Sequence, residues 1–280
     1  MIVRRPRPWT TVSALACTLA LGLPASGSAS VTIGSSMATP GNAGVSCGAT
    51  PCTFSQSALP GQLVTSPVNG TVTVWRVQAT GAGSFRFRVL RPMVGGPLFA
   101  VSSASQPVPG QGTYTFPTSL PISIGDRIGL DQGDASTSIL FLSGVTGATG
   151  DSWQPVPGDG AQLPPTTGTL AGDELMLNAD VEPTSAFTLT KPTTLKKGRA
   201  RLTATLPNPG TLELSGRLVK PQTLQATDSP GEFSVTVKPS KGSKKKLKRK
   251  GKAKGGVSLT YTPDFGNPAV QRLKLKLRRG

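Results

Sequence analysis

Ser84-Phe85-Arg86-Phe87-Arg88-Val89-Leu90 decides the fold. Phe85, Phe87 and Val89 fall on one side of an extended chain, and Arg86 and Arg88 fall on the other. A period of two with a polar outer face is an antiparallel strand laid over a core. Comparable runs occupy residues 63–65, 71–79, 98–103, 112–117, 126–131, 138–143 and 174–181, with Gly/Pro turns between them. No segment sustains an apolar repeat at helical spacing, which predicts an all-β chain. So many strands within residues 31–183 predict a jelly-roll-like β-sandwich. Residues 144–168 read as a long strandless loop carrying Trp153 and several prolines, the kind of segment that holds binding sites.

The C-terminal part repeats the pattern. Phe187/Leu189, Leu202/Ala204/Leu206, Leu212/Leu214, residues 223–227, Phe233/Val235/Val237, Val257/Leu259/Tyr261 and Leu273/Leu275/Leu277 make seven short strands. Seven such strands predict an immunoglobulin-like β-sandwich over residues 184–280. The basic run 241–254 lies between the fifth and sixth strands and reads as a crossover loop. Leu247 is expected to plug the core while the lysines face water.

Charge divides the chain at the same place. Residues 31–183 hold five arginines, no lysine and nine acids, a net of −4. Residues 184–280 hold 22 Lys/Arg and four acids, a net of +18. The first lysine of the chain is Lys191. So abrupt a change predicts two domains with a boundary near Glu182-Pro183-Thr184-Ser185.

Residues 1–30 read as a secretory signal peptide. Arg4, Arg5 and Arg7 precede an apolar stretch over 10–23, Pro24 breaks it, and Ala25-Ser26-Gly27-Ser28-Ala29-Ser30 suits a signal peptidase. The stretch is too short to span a bilayer, and Cys17 reads as one more apolar residue of the removed segment. No later segment has spanning length, so the mature chain is expected to be secreted or held at the cell surface. There Cys47 and Cys52 read as a disulfide, whose small ring stabilises by roughly 2 kcal/mol in the chain-entropy model. The chain has no histidine, which removes the usual general base, the usual zinc ligand and the base of Ser–His and Cys–His pairs.

Three stretches of the second half, Gly210-Thr211-Leu212-Glu213-Leu214-Ser215-Gly216, the run Lys244–Lys254 and Thr260-Tyr261-Thr262-Pro263, resemble a lysine-rich immunoglobulin-like module of secreted proteins from soil actinobacteria. Val74-Trp75-Arg76-Val77, Phe87-Arg88-Val89-Leu90-Arg91-Pro92 and Gly125-Asp126-Arg127-Ile128-Gly129-Leu130 resemble a sandwich domain of the same secreted set. The resemblance implies two β-sandwiches and export, and it implies no chemistry.

Four sets of side chains are candidates for a site. Lys244, Lys245, Lys246, Lys248, Arg249, Lys250, Lys252 and Lys254 are suited to binding a polyanion by counterion release. They have no interleaved aromatic for base stacking, so sequence-specific nucleic-acid recognition is not expected. Arg76, Arg86 and Arg88, with Arg91 beside them, read as an exposed arginine patch, and Trp153 as a sugar-stacking platform. Together these would suit a glycan. Asp126, Asp131 and Asp134 are candidate Ca²⁺ ligands through oxygen, and no other cofactor is implied. The leading functional reading is an exported, non-catalytic binding or structural protein of the cell envelope or extracellular space, with an anionic envelope polymer or an extracellular glycan as partner. The alternatives are a polyanion-binding surface protein acting through the basic C-terminal domain, and a carboxylate-dependent carbohydrate-active enzyme.

Overall fold

The computed structural model describes residues 29–133, 138–225 and 229–279. The signal-peptide reading, apart from its last two residues, and the Asp134 candidate lie outside them. The chain is all-β, with four antiparallel sheets, one α-helix and one 3-10 turn among the described residues. No described helix is long and apolar enough to cross a membrane.

The first two sheets draw their strands only from residues 31–183, and each has seven. One runs Val31–Gly34, Leu177–Pro183, Gly70–Ala79, Ile139–Ser143, Asp173–Leu175, with Ala43–Val45 paired to Ile139–Ser143 and Gly112–Ile122 to Gly70–Ala79. The other runs Thr167–Ala171, Thr149–Trp153, Cys52–Ala58, Arg127–Gln132, Gly83–Arg91, Leu98–Ser102, with Gln106–Val108 on Gly83–Arg91. They face each other across one core. Trp75, Val77 and Ala179 enter from the first sheet, and Phe54, Phe85, Phe87 and Leu130 from the second. Trp75 stacks on Phe87 between the sheets with ring centroids 5.6 Å apart. Burial of each such aromatic stabilises by about 1.5–3 kcal/mol.

Two expectations for this half need correction. Residues 63–65 form no strand, and only Thr65 makes an isolated bridge, to Arg127. Residues 144–168 are not strandless, because Thr149–Trp153 lies between Cys52–Ala58 and Thr167–Ala171. Cys52–Ala58 alternates apolar with polar only as far as Ser55 and breaks at Gln56, and Thr149–Trp153 does not alternate. Cys52–Ala58 buries Thr53, Ser55 and Gln56, each compensated by a hydrogen bond. Thr53 Oγ1 donates to Asp131 at 2.6 Å, Ser55 Oγ to the Ile128 carbonyl at 2.8 Å, and Gln56 Nε2 to the Thr149 carbonyl at 2.8 Å. Both faces of Cys52–Ser55 are therefore buried, one apolar and the other polar and hydrogen-bonded, so the strand does not present the solvated face of a simple half-buried one.

The other two sheets, four strands each, use residues 188–278. One holds Thr188–Leu189, Arg199–Leu206 and Thr193–Leu195, with Gly231–Val237 on Arg199–Leu206. The other runs Gln222–Gln225, Gly210–Ser215, Lys252–Pro263, Ala269–Arg278. Leu202, Leu206 and Val235 meet Leu212, Leu259, Tyr261 and Leu277 in a second core. The short strand Thr193–Leu195 is additional to those expected.

The basic run is a helix, not a loop, over Lys241–Lys250. Ser240 caps its start by accepting from the Ser243 N–H at 3.3 Å. Gly251 ends it at φ +66° and donates its N–H to the Leu247 carbonyl at 3.0 Å. Lysine is a good helix former, and cations in the last turn complement the helix dipole. Ser243 and Leu247, one turn apart, are the buried face. Leu247 therefore reaches the core as expected, with its tip against Gly198.

The two sandwiches meet at Asn69 and Asn208. The Asn208 amide accepts from the Asn69 N–H at 2.6 Å and donates to the Asn69 and Thr184 carbonyls at 2.9 Å each. Asn69 returns a bond from Nδ2 to the Pro207 carbonyl at 2.8 Å. Asn208 is fully buried, and its own carbonyl accepts the Tyr261 hydroxyl at 2.6 Å. One side chain thus substitutes for a strand of backbone. Replacing it leaves the Asn69 N–H and the Thr184 carbonyl without these partners. Asn208→Ala is expected to lower unfolding free energy by about 3 kcal/mol, read by chemical denaturation. A change near zero would show that water replaces the amide without cost.

Candidate anion-binding surface

The disulfide joins Cys47 to Cys52 with Cα atoms 5.6 Å apart. Gln154 Nε2 donates to the Cys47 and Thr50 carbonyls at 2.7 Å each and ties the following loop to this ring. That loop, 154–166, covers the outer face of the second sheet.

The loop changes the meaning of two candidates. Trp153 is fully buried, edge-on to Phe99 at 5.2 Å, and donates Nε1–H to the Leu163 carbonyl at 3.2 Å. It anchors the loop and offers no face to a sugar. Arg88 is 1% exposed. Its Nε–H is shared between the two Asp131 oxygens at 2.6 and 2.7 Å, Nη1 donates to Asp159 at 2.7 Å, and Nη2 donates to the Pro157 carbonyl at 2.5 Å. Burial pushes the Asp131 carboxyl up, opposed by Arg88 and by the Thr53 hydroxyl. Arg86 is exposed, but Arg76 lies on the opposite sheet, so the arginine patch does not assemble. Arg76 is bonded to Asp180 at 2.6 Å, and that hydrogen bond holds the Asp180 carboxyl below its ordinary value. The pair therefore stabilises above the usual carboxylate range, and its contribution is lost as pH falls through the depressed pKa.

Asp126 and Asp131 do not share a cation site. Asp126 accepts from Arg91 at 2.9 and 3.0 Å and from the Ser123 N–H at 2.8 Å. Asp131 is committed to Arg88. Five extended residues separate the two by ~17 Å, whereas ligands of one Ca²⁺ lie at about 2.3–2.6 Å from it.

The charge of the first sandwich is thus largely paired: Arg76, Arg88, Arg91 and Arg127 each bind an aspartate. Among the described residues, no lysine or arginine of the second sandwich forms a salt bridge. Its cations gather instead in two places.

The first is a cleft of about 420 Å³ at the foot of the helix. Lys197, Arg199, Lys238, Lys244, Lys248 and Arg279 surround a floor of Gly198, Pro239 and Leu247. Only Lys244 and Lys248 of the basic run take part, one helical turn apart. Lys245, Lys246, Arg249 and Lys250 are exposed around the rest of the helix.

The second is the outer face of the last hairpin. Gly210–Ser215 ends at the Ser215–Ser258 pair, and beyond it Lys252–Pro263 and Ala269–Arg278 continue as a two-stranded ribbon. Lys252 stands opposite Arg278 and Lys254 opposite Lys276. Arg272 and Lys274 extend the row, and all six are exposed. Like charges directly opposite destabilise a strand pair by about 0.2–1 kcal/mol. The Lys276 ammonium is held below the ordinary lysine value by Arg278 first, then by slight desolvation and by Lys254 and Lys252. Guarding a sheet edge requires charge, but it does not require the same sign on both strands.

The run Lys244–Lys254 was legible in the sequence, but Lys197, Arg199, Lys238 and Arg279 were not, because separate segments of the chain bring them to the cleft. Arg272, Lys274, Lys276 and Arg278 did carry a signal. They alternate with the leucines whose spacing identifies the strand.

Comparison with protein-family models and with curated proteins finds no match.

Arg88→Met should destabilise the chain by about 3–5 kcal/mol, because Asp131 is left as an unpaired buried charge. The double variant Arg88→Met, Asp131→Asn should regain part of that loss in urea unfolding. A single variant as stable as the parent would remove Arg88 as the post that holds loop 154–166.

Proposed function

We propose that the chain is an exported, non-catalytic protein that holds an anionic polymer of the cell envelope on its second sandwich. The observation that carries this reading is the cross-strand opposition of cations on the last hairpin. That arrangement costs stability in the free protein, and a bound polyanion removes the cost. The first sandwich, whose arginines are mostly matched by aspartates, supplies no comparable field. The disulfide is in keeping with an oxidising location. The large positive potential also favours rapid capture of a charged polymer at low ionic strength.

Binding of this kind is driven by counterion release. If about five phosphates are neutralised, the log affinity of the full mature chain for duplex DNA, used only as a generic polyanion, should fall with log salt at a slope of roughly −4 to −5. Replacing Lys252, Lys254, Arg272, Lys274, Lys276 and Arg278 with Gln should abolish most of that affinity without lowering stability, since the removed pairs repel. A shallow salt slope, or full affinity in the Gln variant, would place binding elsewhere.

A further inference from the structure

The last hairpin has an order that charge-driven binding does not require. Arg272, Lys274, Lys276 and Arg278 occupy alternate positions of Ala269–Arg278 and all face outward. Alternate residues of an antiparallel strand are ~6.8 Å apart. The row is therefore an evenly spaced line of cations ~20 Å long. Beside it lies an open trough of about 500 Å³, lined by Lys254, Gly255, Gly256, Lys274, Leu275 and Lys276.

The trough exists because Gly256, opposite Lys274, has no side chain. Its backbone does not demand glycine. Gly256 is not among the glycines with positive φ, and a Cβ there would meet nothing within 4 Å. A glycine inside a strand destabilises it by roughly 0.5–1 kcal/mol relative to Ala, and on this exposed face it leaves the space above the backbone open.

We infer that this row and trough seat a linear polyphosphodiester whose phosphates are joined by three-carbon links, as in a poly(glycerol phosphate). The inference rests on the polyanion reading above and adds the spacing of the ligand's charges. A three-carbon link places six bonds between successive phosphorus atoms, as many backbone bonds as two peptide residues contain, so the extended polymer repeats at ~7 Å. That matches the cations one for one. A five-carbon link overshoots the repeat, and directly linked phosphates fall well short of it. A single-stranded nucleic acid shares the three-carbon repeat. However, the inward positions of the ribbon are filled by Ala253, Leu275 and Leu277, and no aromatic side chain stands on the outward face to receive a base.

The test uses the full mature chain at ~0.1 M salt, where one phosphate contact is worth about tenfold in affinity. Synthetic poly(glycerol phosphate), poly(ribitol phosphate), inorganic polyphosphate and oligodeoxythymidylate are compared at equal phosphate concentration. Poly(glycerol phosphate) should bind about tenfold tighter than the ribitol polymer and polyphosphate, and at least as tightly as the oligonucleotide. Gly256→Ile keeps every charge and suits a strand, and thermal melting confirms that it folds. It should weaken poly(glycerol phosphate) binding about tenfold while leaving affinity for duplex DNA nearly unchanged. Equal affinity per phosphate for all four polymers, or an unaffected Gly256→Ile, would overturn the spacing inference and leave charge-driven binding intact. Tighter binding of the oligonucleotide would overturn the choice of polymer. Loss of all binding on removing the six cations, with no discrimination by the parent, would overturn the spacing inference and uphold only the broader reading.

Discussion

Side chains on a strand alternate between two faces, and the second sandwich depends on that constraint. Burying Leu275 and Leu277 in the core forces Lys274, Lys276 and Arg278 to the opposite face. Burying Ala253 and Val257 does the same for Lys252 and Lys254. Antiparallel register then brings cation against cation. Hydrophobic burial outweighs the repulsion, at about 1.5–3 kcal/mol for each leucine against about 0.2–1 kcal/mol for each opposed pair. The fold therefore tolerates a charge pattern that it does not need.

The two halves treat charge in opposite ways. In the first sandwich arginines serve as structural parts. Arg88 is enclosed between Asp131, Asp159 and the Pro157 carbonyl and pins loop 154–166 over the sheet. Arg91 closes the turn at Asp126, and Arg127 is held by Asp151. In the second sandwich acids are too few to pair with the cations, so the charge is turned outward. The Asn69–Asn208 amide exchange joins these unlike halves without any charge.

The arginine–tryptophan grouping of the first half does not assemble, and Asp126 and Asp131 do not come together, because closeness in sequence is not closeness in space. Arg76, Arg86, Arg88, Trp153, Asp126 and Asp131 are near in sequence or alike in type, and neither property makes them neighbours in space. Strand geometry disperses them: Arg76 belongs to the opposite sheet from Arg86 and Arg88, and Asp126 and Asp131 are separated along Arg127–Gln132. Loop 154–166 then buries Arg88 and Trp153. A local reading of the chain has no means of seeing a loop fold back over a sheet.

Alternation in Gly83–Arg91, Arg199–Leu206 and Ala269–Arg278 made the all-β class legible, because one apolar face and one polar face can only be a half-buried strand. The close Cys47–Cys52 spacing made the disulfide legible, and the first lysine at 191 marked where the charge changes. Strands buried on both faces left weaker marks: Cys52–Ala58 alternates only as far as Ser55, and Thr149–Trp153 not at all. The helix Lys241–Lys250, whose caps and two inward residues outweigh the repulsion among its lysines, left no such mark. The cleft, the opposed cations and the open position above Gly256 exist only in three dimensions. They depend on which segments pair and in what register, and register is set by the shared core and not by any one stretch of sequence.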